Sequence, residues 1–143
     1  MARIVFGKAS DWLPKKKKKK SNRKKLREQL DKLWAELVKQ RAGYKCERSG
    51  KTRYLNSHHV FSRSNLSVRW DLNNGVCLNA GRHTLQTNSA HKNPIEFIEW
   101  IKGRRGVKWY EEMRIKANLV RKWTIPELEE LLKTFKEEIK ENE

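Results

Sequence analysis

From Asn22 onward, Leu26, Leu30, Leu33, Trp34, Leu37 and Val38 recur at helical spacing, and Gly43 offers a stop. That pattern predicts an amphipathic helix whose other face carries Lys24, Lys25, Arg27 and Lys32. After turn signals at Ser49 and Gly50, residues 53–60 read as a strand. A polar loop holding Arg63, Arg69 and Trp70 leads to a turn at Asn73, Asn74 and Gly75, and Val76-Cys77-Leu78 forms a short apolar strand. Residues 81–90 read as a helix. Pro94 suits the first turn of the next one, which carries Ile95, Phe97, Ile98, Trp100 and Ile101 and is broken by Gly103-Arg104-Arg105-Gly106. A further segment over 107–119 holds Trp109, Tyr110, Met113 and Ile115.

The last element opens on Thr124 and Glu127 at capping-box spacing. Leu128, Leu131, Leu132, Phe135 and Ile139 follow on one face, a stripe suited to a core lid or to the face of a homodimer. The sequence contains no internal repeats. The fold class expected is α+β: a two-stranded antiparallel ribbon with a crossing helix at 54–90, an N-terminal helix, and two or three C-terminal helices. Three stretches are expected: a poorly ordered arm over 1–21, a helix and core over 22–103, and a helical extension over 104–143.

Charge changes the picture most. The 143 residues include 34 Lys and Arg against 17 Asp and Glu, a net charge of +17. Lys15, Lys16, Lys17, Lys18, Lys19 and Lys20 form one uninterrupted run. Such a balance points to a polyanionic partner held through phosphate contacts and weakened by salt, and the run also fits a solvated tail or a targeting signal. Six Trp argue against global disorder, because they supply core area. Two Cys, Cys46 and Cys77, cannot make a disulfide framework, and a reducing cytoplasmic compartment is the simpler expectation. The opening residues hold too short an apolar run for a signal peptide, and no segment is suited to crossing a membrane.

The chemistry-bearing residues are His58 and His59, then Asn74, then His83. Hydrolysing a phosphodiester needs a base that generates hydroxide and a cation that neutralises the developing charge. Imidazole can do either job. Successive strand side chains face opposite ways, so one of His58 and His59 can bind a metal while the other addresses the water. Asn74 can fix the base by a hydrogen bond, and His83, entering from the following helix, completes the metal site.

The stretch 58–83 resembles the HNH, or ββα-metal, endonuclease family. Its phage branch reads Asn-Gly-Val-x-Leu-Cys-x-x-Cys-His, and Asn74-Gly75-Val76-Cys77-Leu78-Asn79-Ala80-Gly81-Arg82-His83 aligns with it without a gap. The resemblance implies a ββα-metal core with His58 as a metal ligand, His59 as general base, Asn74 as the orienting residue and His83 as a second ligand. His91, before Asn93-Pro94, resembles a further histidine of phage members and reads equally as a third ligand or as a surface or capping residue. One divalent ion is implied, Mg²⁺ first, with Mn²⁺, Ni²⁺ or Zn²⁺ as alternatives. The tail from Arg121 resembles the end of the lambda-type NinG (Rap) recombination nucleases, which implies a phage nuclease acting on branched or junction DNA.

The sequence departs from the family at its structural zinc. Of the four expected cysteines only Cys46 is present; Ser49, Asn79 and Arg82 stand at the other three positions, so no structural zinc is expected. Arg63 and Arg69, with Arg104 and Arg105, are candidate phosphate contacts, each also readable as a solvated surface charge. A metal-dependent endodeoxyribonuclease is the leading expectation, and a non-catalytic nucleic-acid-binding protein on a decayed scaffold is the alternative.

Overall fold

Ser21 sets the first helix: its side chain accepts from the Lys24 N–H at 3.3 Å, and helix α1 runs over Asn22–Arg41. The computed structural model describes Gly7, Pro14 and residues 21–143. The expected arm over 1–21, with Lys15–Lys20, therefore lies outside the described residues apart from Gly7, Pro14 and Ser21. Strand β1 (Leu55–His59) pairs antiparallel with β2 (Gly75–Asn79), forming a two-stranded sheet. Helices α2 (Pro94–Arg105), α3 (Val107–Ala117) and α4 (Ile125–Glu141) follow. The chain is thus α+β with helices at both ends. No described helix is long and apolar enough to cross a membrane.

The core is built in two main parts around the ribbon. Leu26, Leu30, Trp34 and Leu37 of α1 pack with Leu128, Leu132 and Phe135 of α4, and Trp70 and Cys77 join them. The apolar stripe of α4 is therefore spent on α1, as a lid. On the other face Val76 and Leu78 pack with Phe97 and Ile101 of α2. Both faces of β2 are covered, which is why all five of its residues are buried. Helix α1 lies close against the ribbon: the Ser57 hydroxyl donates to the Ala35 carbonyl at 2.6 Å. At Gly75 a Cβ would stand 2.3 Å from a Val38 methyl, so only glycine lets the helix approach this near.

Three expectations are corrected. Tyr54 does not extend β1; its φ of +55° turns the chain left-handed, and the strand begins at Leu55. Residues 81–90 are not one helix: a single π-helical turn over Gly81–Leu85 ends at Gln86, whose N–H donates back to Gly81. Gly81, Asn88 and Ser89 are weak helix formers, and nothing propagates the turn. Helix α2 also continues through Gly103 to Arg105, and the break falls at Gly106, where φ reaches +94°.

Candidate metal centre

His58 and His59 end β1, opposite Val76 and Gly75. As neighbours on a strand they face opposite ways. The His58 ring stands edge-on to Phe97 of α2, centroids 5.0 Å apart. The His59 ring instead lies flat on Trp34 of α1, at 3.8 Å and 8° between planes.

His83 sits in the π-helical turn, and His91 lies eight residues further on. In a continuous helix that spacing would be about 12 Å along the axis. Ending the helix at Leu85 removes the gap, because the chain folds back on itself. The Ala90 N–H donates to the Arg82 carbonyl at 2.8 Å and the His91 N–H to the His83 carbonyl at 3.1 Å. The two rings come to 4.5 Å, with their Nε2 atoms 2.9 Å apart. The His58 ring centroid lies 5.1 Å from that of His83 and 4.9 Å from that of His91.

One ring nitrogen from each of His58, His83 and His91 lies within 4.8 Å of the other two, a group that could hold a metal ion. Two nitrogens bound to one ion at about 2.1 Å are at most about 4.2 Å apart, so side-chain shifts under about 1 Å close the set. The broken helix, which the sequence pattern did not disclose, is what joins His91 to the other two.

Burial, then the neighbouring His83 and His91, pushes the pKa of His58 down to about 3. Burial, with His91 beside it, also lowers that of His83. Both rings are held neutral, the form a cation needs. With His59 and Arg63 the three line one pocket of about 540 Å³, within the usual range for ligand sites of about 300–1,000 Å³.

His59 Nε2 lies 2.8 Å from the Arg69 carbonyl oxygen. A carbonyl only accepts, so Nε2 carries the proton and Nδ1 keeps the lone pair. Burial holds its pKa below the ordinary value, against the raising effect of that hydrogen bond. The expectation that Asn74 orients His59 is corrected by the structure. The Asn74 side-chain oxygen accepts from the Phe61 N–H at 2.7 Å, and its amide donates to the carbonyls of Phe61 at 2.9 Å and Val68 at 3.2 Å. Fully buried, Asn74 ties together the two ends of the 61–68 loop, while Arg69 supplies the contact to the imidazole.

Arg69 is itself anchored from α1. Asp31 accepts from Arg69 Nε at 2.9 Å and a terminal nitrogen at 2.6 Å, from Trp70 Nε1 at 2.9 Å, and from Arg63 at 3.0 Å. Trp34 Nε1 donates to the Asp71 carbonyl at 3.0 Å. Helix α1 thus stacks on the His59 ring and holds the backbone that its Nε2 meets. Arg69, expected to grip phosphate, is 8% exposed with its guanidinium committed to Asp31, so that expectation is corrected. Arg63 keeps an exposed side chain, whereas Arg105 turns inward to Glu47 and the Gly75 carbonyl.

Asp31→Asn is expected to leave the buried Arg69 without its counter-charge. Unpairing a buried ion typically costs about 3–5 kcal/mol; with the Asp31 side chain 25% exposed, about 2–4 kcal/mol is expected in urea unfolding. Asp31→Glu should recover part of the loss.

The four positions aligned with the zinc knuckles come together with Cys46 as their one thiol. The Ser49 N–H donates to Cys46 Sγ at 3.3 Å. The Ser49 hydroxyl and the Arg82 N–H both donate to the Asn79 side-chain oxygen at 3.3 Å. Burial raises the pKa of Cys46, but hydrogen bonds from Ser49, Asn79 and Arg48 outweigh it and leave the thiol below its ordinary value. Cys77 lies elsewhere in the core, pushed up to about 11 by burial, with Glu47 adding to the shift.

Asp31, Trp34 and the Arg69 carbonyl are the functional groups the sequence did not reveal. They lie ten or more residues from His59 along the chain and carry no spacing signal. Compared with family models, with curated proteins and with solved structures, the chain matches none.

Proposed function

We propose that the protein is a metal-dependent DNA endonuclease of the ββα-metal (HNH) type. One observation carries the reading: three imidazoles, His58, His83 and His91, converge on one point in a pocket that His59 also lines. A divalent ion held by those three nitrogens would supply positive charge against the phosphate and the leaving oxygen.

His59 does the proton chemistry. With Nε2 donating to the Arg69 carbonyl, Nδ1 takes a proton from water as its oxygen attacks phosphorus. The phosphorus–O3′ bond breaks and the leaving 3′ oxygen takes a proton from solvent, giving a 5′ phosphate and a 3′ hydroxyl. Trp34 prevents the ring from swinging away, and Asn74 fixes the loop on which the Arg69 carbonyl rests.

Two further features agree with the family reading: the gapless match over 74–83, and the meeting of Cys46, Ser49, Asn79 and Arg82 at the place of the zinc knuckles. The action on branched or junction DNA rests on the resemblance of the tail. A cytoplasmic setting goes with the two free thiols.

An all-imidazole donor set favours a nitrogen-preferring ion such as Ni²⁺ or Zn²⁺ over oxygen-preferring Mg²⁺ or Mn²⁺. The test is a panel of labelled duplex, nicked, flap and four-way-junction DNA incubated with each ion or with EDTA, beside metal titration by calorimetry. The expected result is one ion per chain, cleavage that EDTA abolishes, and loss of both ion and cleavage in His83→Ala. DNA bound but never cut, with any ion, would sink the nuclease reading in favour of a binding protein.

A further inference from the structure

A second cleft opens beside the metal centre, between the first two turns of α1 and the loop that follows β1. Arg23, Lys24 and Arg27 of α1 line it, with Arg63 from the loop, against Glu28 and Asp31. Arg63 also lines the pocket of the three histidines, so the two concavities share a wall.

The charges here are unequally committed. Asp31 is spent on Arg69, Trp70 and Arg63. Arg63 gives it one terminal nitrogen and leaves its side chain 59% exposed. Arg23 donates to the Trp123 carbonyl at 2.5 Å. Among the described residues no ion pair engages Lys24 or Arg27, and their three-residue spacing puts both on one face of the helix. The N-terminal end of a 20-residue helix adds its own partial positive charge, and Ser21 at that end lines the cleft. In sequence, the run Lys15–Lys20 directly precedes Ser21.

We infer that this cleft seats the DNA backbone that runs on from the scissile phosphate, with Lys24, Arg27 and Arg63 as its phosphate contacts. The inference rests on the nuclease reading of the neighbouring pocket. A row of cations along one helix face, continuous through Arg63 with the metal centre, matches a repeating polyanion better than a single small anion. The path gives the strand a direction: from the histidines past Arg63, then along α1 toward its first residue. Such contacts grip without reading bases, so they add affinity equally for all sequences.

The test is binding of a labelled 30-bp duplex in EDTA, measured by anisotropy across a salt series, followed by cleavage kinetics with the active ion. Lys24→Gln/Arg27→Gln removes two phosphate-binding cations. It should flatten the log–log salt slope by about two and weaken binding on the order of 50-fold at 0.1 M salt. Cleavage at saturating DNA should keep its kcat while KM rises. Lys24→Arg/Arg27→Lys should restore the slope. Lys133→Gln/Lys136→Gln on α4 removes the same charge at a distance and should leave the slope as in the wild type. Equal slopes for the two glutamine pairs would overturn the cleft and leave the nuclease reading intact. A wild-type protein that binds no DNA would overturn both.

Discussion

His59→Ala is expected to slow cleavage about 10²–10⁴-fold at saturating DNA, with duplex affinity nearly unchanged. That range is what a positioned general base contributes. The residue touches Trp34 and the Arg69 carbonyl but none of the three ligand nitrogens, so metal affinity should persist. His83→Ala should differ in kind, losing the ion and the activity together. The split matters because both rings line the same pocket. Single-turnover cleavage with calorimetric metal titration on the two variants separates the roles. If His59→Ala cuts at the wild-type rate, the base is another group and the stacking on Trp34 is only packing. If it loses the ion as well, His59 belongs to the metal set.

The helices and the ribbon were legible because each carries its own periodicity. The Leu26-to-Val38 stripe, the Thr124 capping box and the Leu128-to-Ile139 stripe are local signals, and α1 and α4 form where they point. His58 and His83 were legible as ligand candidates from residue type and order, His91 only through the family resemblance, and the structure brings the three together. What sequence reasoning placed wrongly was set by contacts distant along the chain or by a failure to propagate a turn. Residues 81–90 have no strong breaker, yet the Ala90 and His91 amides bond to Arg82 and His83, and a predicted helix becomes a returning turn. Type and order suggest that Asn74 faces the base, but a fully buried amide must satisfy all its polar atoms, and the ends of the 61–68 loop offer the partners. Arg69 has the look of a phosphate contact until Asp31, 38 residues earlier, claims its guanidinium.

Metal-free protein is expected to lose stability steadily as pH falls below about 6.5, before most carboxylates titrate. Burial, with the His83 and His91 rings nearby, holds the folded-state pKa of His58 at about 3, against an ordinary 6.5. Below 6.5 the unfolded chain therefore takes up a proton that the folded one refuses. A depressed histidine pKa thus leaves stability at its full value above 6.5 and removes it on acidification, until the folded ring also protonates near 3. One proton corresponds to about 1.4 kcal/mol per pH unit, so His58 alone should cost about 2 kcal/mol between pH 6.5 and 5. Across its whole window the cost approaches about 5 kcal/mol. His83 and His59, also depressed, add to the slope. Asp31 contributes only lower down: burial opposes its ionisation, but hydrogen bonds from Arg69 and Trp70 win, so its share is lost below its ordinary 3.8. Urea unfolding in EDTA at pH 7.5, 6.5, 5.75 and 5 measures the effect, with His58→Gln as the reference. The wild type should lose stability over that interval and the variant should lose markedly less. A bound ion should hold the wild-type curve level further into acid, because ligation stabilises the folded state until protons displace it. Parallel curves for wild type and His58→Gln in EDTA would mean that His58 is hydrated and titrates normally, and the closed three-histidine centre would have to be abandoned.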